Sequence, residues 1–122
     1  MKIEGTVVKG KQLGRTIGFP TANIEIERRQ GSGPDGVYAA LIEIDGQKYG
    51  AMVNIGHHPT LPEGGKTVEA HIFGFRGDAY GKTVILKTAG YIRPEQKFPS
   101  VEALKEQLAK DKKTAEELLS VK

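Results

Sequence analysis

The sequence predicts an all-β fold: a small antiparallel barrel of about six strands, followed by one α-helix. Three observations carry this expectation. Sixteen glycines punctuate short apolar stretches without any short period, which is how strands joined by tight turns read. Two alternating runs flank Asp45-Gly46, a dipeptide suited to the φ > 0 positions of a two-residue hairpin. A single stripe of apolar residues at helical spacing occurs only near the end of the chain.

Taken in order, residues 2–9 carry Ile3, Val7 and Val8 and read as a strand, after which Gly10, Gly14 and Gly18 break regular structure. Ile24 and Ile26 alternate with Glu25 and Glu27, as on a half-buried strand. Arg28–Asp35, containing Gly31, Gly33 and Pro34, reads as a loop. In the strand 36–44, Val37, Ala39 and Leu41 face one way and Tyr38, Ala40, Ile42 and Ile44 the other. The return strand is 47–55, and 56–66 reads as a second loop. A strand over 67–75 puts Glu69, His71 and Phe73 on one face, and a turn around Gly77–Gly81 leads to a strand over 82–92. Ser100 fits a helix N-cap, with Glu102 in the first turn. Val101, Leu104, Leu108, Ala115, Leu118 and Leu119 form the apolar stripe, and Asp111 falls on it, where a polar residue breaks the helix or caps a second one. Closing the sheet into a barrel removes the exposed edges of such short strands.

Composition narrows the functions. The chain has 122 residues, one domain's worth. Its lack of cysteine removes disulfides, thiolate metal sites, thiol nucleophiles and iron–sulfur clusters. A net charge of +3, with both signs interspersed, permits an anionic ligand without arguing for nucleic acid. Aromatics at 7% and the absence of Trp supply poor stacking platforms for bases. No apolar run approaches the roughly 20 residues that cross a bilayer, and residues 1–10 lack a signal-peptide core. The expectation is a cytoplasmic protein with neither nucleic-acid nor membrane partners.

Three motifs mislead. Gly5–Gln12 nearly fits the Walker phosphate loop, but Gln12 stands where that loop needs a hydroxyl for magnesium, and no helix follows. Gly31–Gly36 has the glycine spacing of the dinucleotide fingerprint, yet it opens a strand and Pro34 interrupts it. His57-His58 has no third His or Cys at ligand spacing. His71, sharing a face with Glu69, admits two readings: half of a catalytic pair, or a hydrogen-bonded histidine of the barrel wall, which is the commoner case.

The informative stretch is 10–23. Gly10, Gly14 and Gly18 free the backbone to approach a bulky anion, and successive N–H groups can form a nest for phosphate oxygens. Lys11 and Arg15 add charge. Thr21 and Asn23 carry oxygens two residues apart, on one side of an extended chain. Mg²⁺ prefers such hard ligands and keeps several waters. An ordinary Gly-rich connection with an Asx or ST turn is the alternative that composition alone favours.

The run from Gly5 to Asn23, G-x-V-x-x-G-x-x-x-G-R-x-x-G-F-P-T-A-N, resembles the signature of riboflavin kinases. The resemblance continues in order through Gly36-Val37-Tyr38, Asn54-Ile55-Gly56, Pro59-Thr60, Val68–Ile72, Asp78–Gly81, Arg93-Pro94-Glu95, Phe98 and a helix carrying Asp111. It implies one kinase domain over 1–122, a six-stranded Greek-key barrel over about 1–93 and a C-terminal helix over about 100–120. It further implies Mg²⁺-dependent transfer of the ATP γ-phosphoryl group to the 5′-hydroxyl of riboflavin, giving FMN.

By the same resemblance, Glu69 is the catalytic base. Gly10, Arg15, Thr21, Asn23, Ile72 and Tyr80 bind ATP, with Thr21 and Asn23 also contacting the metal. Arg93, Gln96 and Phe98 border the flavin, Gln96 standing where some relatives carry a different polar or basic residue. Taken alone, Glu69 also reads as a strand carboxylate paired with a nearby base, Arg93 as a strand-end charge, Phe98 as a hydrophobic staple and Tyr80 as a turn residue. Loops 10–20 and 56–66 are expected to close over ligands. Many bacterial relatives add an N-terminal FMN adenylyltransferase. This chain starts at the kinase strand and is expected to stop at FMN, as a monomer, on its own or as part of such a longer chain. The alternative is a non-catalytic flavin- or nucleotide-binding barrel module, or a flavin sensor without turnover.

Overall fold

In the computed structural model, which describes residues 1–8, 18–57 and 66–120, six strands close into an antiparallel barrel. The strands are β1 (Lys2–Val8), β2 (Ala22–Gln30), β3 (Gly36–Ile44), β4 (Gln47–His57), β5 (Lys66–Ile72) and β6 (Thr83–Arg93), followed by α1 (Val101–Ser120). Around the barrel the order is β1-β2-β5-β4-β3-β6, with β6 returning to β1. Every strand is therefore paired on both sides, and no ladder is left open to another chain.

The β3–β4 hairpin forms as the sequence predicts. Asp45 has φ 52° and Gly46 φ 79°, the left-handed pair of a tight turn. Where β1 meets β2 the register shifts between Glu4 and Gly5. A Cβ on Gly5 would lie 2.2 Å from the Glu25 carbonyl oxygen, so the two backbones approach only because Gly5 has none.

Alternation sorts the side chains into two layers. Ile3, Val7, Ile24, Tyr38, Ala40, Ile42, Ile44, Val53, Ile55, Val68, Ala70, Val84 and Leu86 point inward and fill the barrel. Tyr38 donates its hydroxyl hydrogen to the Pro34 carbonyl. Burial raises its pKa above the ordinary tyrosine value, helped by Tyr91 and Asp35. The second layer lies outside the barrel wall, where Ala39 and Met52 meet Ala115, Leu108 and Leu119 of α1, together with Phe19, Phe73 and Ile92.

Four expectations of local structure are corrected. β2 runs on through Arg28, Arg29 and Gln30, which pair with Glu4, Ile3 and Lys2; the loop begins only at Gly31. Gly56 and His57 belong to β4 and Lys66 to β5. β5 stops at Ile72, and Gly74 at φ 71° turns the chain away. Asp111 neither breaks α1 nor starts a second helix, because its carboxylate has a partner across the layer. Arg93 donates from Nε at 3.0 and 3.1 Å and from Nη2 at 2.7 Å, and Gln107 donates from Nε2 at 3.0 Å. Ser100 caps the helix as predicted, its Oγ accepting from the Ala103 N–H at 3.1 Å. Among the described residues no helix is long and apolar enough to cross a membrane.

Asp111 is 1% exposed, and the Arg93 side chain 15%. Replacing Asp111 with Ala strands a buried guanidinium and is expected to destabilise the fold by about 3–5 kcal/mol. Replacing both residues with apolar ones, Arg93→Met with Asp111→Leu, recovers most of that loss. Urea unfolding midpoints of the single and double variants check this.

Candidate functional site

Antiparallel register determines which polar residues become neighbours. Asn23 lies directly opposite Glu69 across β2–β5, and Glu69 lies opposite Asn54 across β5–β4. Asn54 pairs with Val37, and Val37 with Arg93. All of these sit on the outer face. The neighbours of Asn23 (Ala22 and Ile24), of Glu69 (Val68 and Ala70) and of Asn54 (Val53 and Ile55) contact the barrel core, so alternation turns the polar residues outward. One row thus crosses five strands, spanning about 19 Å at the ordinary strand spacing.

At the β2 end of this row a cavity of about 320 Å³ opens where β1 ends and β2 begins. Its lining includes Pro20, Thr21, Asn23, Ile72, Asp78 and Tyr80. That volume is at the small end for ligand pockets, enough for part of a nucleotide. Thr21 and Asn23 flank the inward-facing Ala22 and present their oxygens on the same side, as the sequence predicts. They are hard, neutral donors, and this set fits Mg²⁺ held mainly through phosphates and water. Among the described residues no group of three or more His, Asp or Glu could hold a metal by itself.

The far wall of the cavity is built by the connection from β5 to β6. Gly81 N–H donates to the Val7 carbonyl at 2.9 Å, and Val7 N–H to the Lys82 carbonyl at 3.0 Å. Ala79 inserts into the barrel core. The Asp78 carboxylate accepts from the Tyr80 N–H at 2.9 Å, an Asx turn that leaves the Tyr80 ring 54% exposed at the cavity edge.

At the other end of the row, the Arg93 guanidinium stands 5.6 Å from the centre of the Phe98 ring while its Nε and Nη2 hold Asp111. Nη1 donates to the Pro94 carbonyl at 3.0 Å. Gln96 is exposed beside them. A Cβ on Gly56 would sit 2.8 Å from the Glu95 carboxylate, so Glu95 lies over the strand two residues from Asn54.

The predicted residues therefore fall into three groups. Thr21, Asn23, Ile72 and Tyr80 gather at the cavity, Arg93 and Phe98 meet at the start of the helical segment, and Glu69 stands on the strand between. Gly10 and Arg15 lie outside the described residues, as do Lys11, His58 and most of the two loops expected to close. Sequence reasoning gave one contributor no role and left another with two readings. Asn54 joins the row only through its pairing with Glu69. His71, 9% exposed, bonds through Nδ1 to the Pro20 carbonyl at 2.7 Å. His71 is thus the wall histidine of the two readings.

Comparison with known proteins gives these groups a context. A family model described as flavokinase, riboflavin kinase, matches residues 1–119. The chain is 39% identical over 116 residues to a bifunctional riboflavin kinase/FMN adenylyltransferase of Bacillus subtilis, covering 93% of this chain but 37% of that protein. A solved structure of a Streptococcus pneumoniae protein described as a macrolide-efflux protein superposes with TM-score 0.87 at 40% identity, over 94% of this chain and 38% of that one. The riboflavin kinase of Trypanosoma brucei superposes with TM-score 0.66 at 26% identity, over 98% of this chain and 80% of that one.

Proposed function

We propose, from the premise that this chain belongs to the riboflavin kinase family, that it transfers the γ-phosphoryl group of ATP to the 5′-hydroxyl of riboflavin, giving FMN and ADP. The observation that carries the reading is the pairing of Glu69 with Asn23 beside the cavity. Opposed residues on antiparallel strands lie about 5 Å apart at Cα. An acid on one and a phosphate-side ligand on the other therefore bracket the place where an alcohol and a γ-phosphate would meet.

Thr21 and Asn23, with Gly10 and Arg15, would hold the triphosphate, while Ile72 and Tyr80 border the nucleoside. Mg²⁺, bound at Thr21 and Asn23, would neutralise phosphate charge. Arg93, Gln96 and Phe98 would seat the isoalloxazine, directing the ribityl chain along the wall toward Glu69. Glu69 orients the terminal hydroxyl and accepts its proton as the oxygen bonds to the γ-phosphorus and the bond to the β-bridging oxygen breaks. Such transfer asks mainly for positioning and charge neutralisation, which rigid strands supply well. The Bacillus subtilis relative is also named an FMN adenylyltransferase, and this chain spans 37% of its length. A cytoplasmic monomer, on its own or as part of a longer chain, fits the reading.

The direct test is incubation with riboflavin, ATP and Mg²⁺ followed by chromatography of the flavins. FMN formation is expected; flavin binding without FMN would select the non-catalytic module. Glu69→Gln should retain flavin and nucleotide binding while kcat falls by about 10²–10⁴, and an unchanged kcat removes Glu69 from the chemistry. Thr21→Ala should weaken Mg-nucleotide binding more than flavin binding. Calorimetry reporting equal losses for both would contradict the metal assignment.

A further inference from the structure

The P-T-A-N segment must be held in place if Thr21 and Asn23 are to face a common ligand. Asn23 is secured by the ladder, because Ala22, Asn23 and Ile24 pair with Ala70, Glu69 and Val68 of β5. Thr21 precedes the first paired residue, and Pro20 before it has no N–H to donate. What holds Pro20 is its carbonyl, bonded to His71 at 2.7 Å. A carbonyl only accepts, so Nδ1 of His71 carries the hydrogen.

His71 is itself immobilised. Its ring stands edge-on to Phe19 at 5.4 Å and to Phe73 at 5.7 Å, centre to centre. Both phenylalanines pack in the layer beneath α1 with Met52, Leu108, Ala115 and Leu119. On β5 it follows Glu69 by two residues, on the same face. Thr21 is thereby bracketed, with Ala22 pinned by the ladder and Pro20 by an imidazole fixed in the helix–barrel layer.

We infer that His71 is a positioning residue for the nucleotide–metal half of the site: its Nδ1–H holds the Pro20 carbonyl and so aims Thr21 into the cavity. The inference deepens the kinase reading and rests on it. It separates His71 from the chemistry, since Nδ1 already has a backbone partner.

The test compares three variants of the full chain. Asn places an amide N–H where Nδ1 stands, Gln places it where Nε2 stands, and Phe keeps the ring contacts without the donor. His71→Asn, which keeps the donor but loses the ring contacts, should recover most of the wild-type KM for MgATP. His71→Gln and His71→Phe should raise the KM for MgATP about three- to tenfold, the effect of one lost hydrogen bond, with the KM for riboflavin unchanged. Equal changes in both KM values, or failure of Asn to rescue where Gln and Phe lose, would overturn the inference. If Phe does not fold, the Asn–Gln comparison still decides. Calorimetric titration with MgADP keeps the two readings apart. A wild type that forms no FMN defeats the kinase proposal, whereas a wild type that forms FMN alongside a Gln variant with undiminished MgADP affinity defeats only the role of His71.

Discussion

The pairing register of the closed barrel is the constraint on which the site depends. Asn23, Glu69, Asn54, Val37 and Arg93 come from five strands and adjoin only because each ladder is fixed. A slip of one residue in β5 would turn Glu69 into the barrel and expose Val68 and Ala70. The inner face prevents this, since Val68, Ala70, Val53, Ile55 and Ile24 bury side chains that no slipped register could keep inside. The apolar interior thus specifies the polar exterior, and the proposed chemistry would lie on the outer face of a wall whose position is set from within.

The outer layer adds a second constraint, which ties the helix to the same wall. Ala39 and Gly90 are small where α1 crosses β3 and β6; a Cβ on Gly90 would already lie 3.1 Å from Leu118. Close approach brings Asp111 down onto Arg93, and Gln107 completes the carboxylate's partners. Burying a charge pair adds little net stability, because desolvation offsets the attraction. Its effect here is geometric: the guanidinium is held by Asp111 with its carbon 5.6 Å from the centre of the Phe98 ring. A flat ring needs a fixed edge to dock against, and a free strand-end arginine would not provide one.

What the sequence made legible was local. The Asp45-Gly46 hairpin, the Ser100 cap and the shared face of Thr21 and Asn23 depend on residues within a few positions of each other, and each appears as read. The extension of β2 was not legible, because Arg28, Arg29 and Gln30 show no apolar alternation. They lie at the barrel's end, where neither face is covered, and the ladder to β1 alone makes them strand. Asp111 looked like a helix breaker because its partner is on β6. His71 looked ambiguous because Pro20 lies 51 residues away in sequence. Ile72, Tyr80, Glu69 and Gln96 received their roles from resemblance to a family; spacing alone left Glu69 a strand carboxylate like several others.

The proposed reaction asks a small domain to hold two large ligands, and the fold limits where they could lie. The barrel interior is filled by aliphatic side chains and has no room for either. The cavity at the strand ends has about 320 Å³, too little for a nucleotide and a flavin together. On the proposed reading both would therefore extend along the outside, one from the β1–β2 end and the other from the β6–α1 end, and the row of outward residues connects those ends across β5, β4 and β3. Glu69 and Asn54 occupy the middle of that row, on β5, which also reaches the cavity through Ala70 and Ile72, and on β4. In the proposed reaction the reacting groups would meet over β5, whose own position is fixed by ladders to β2 on one side and β4 on the other.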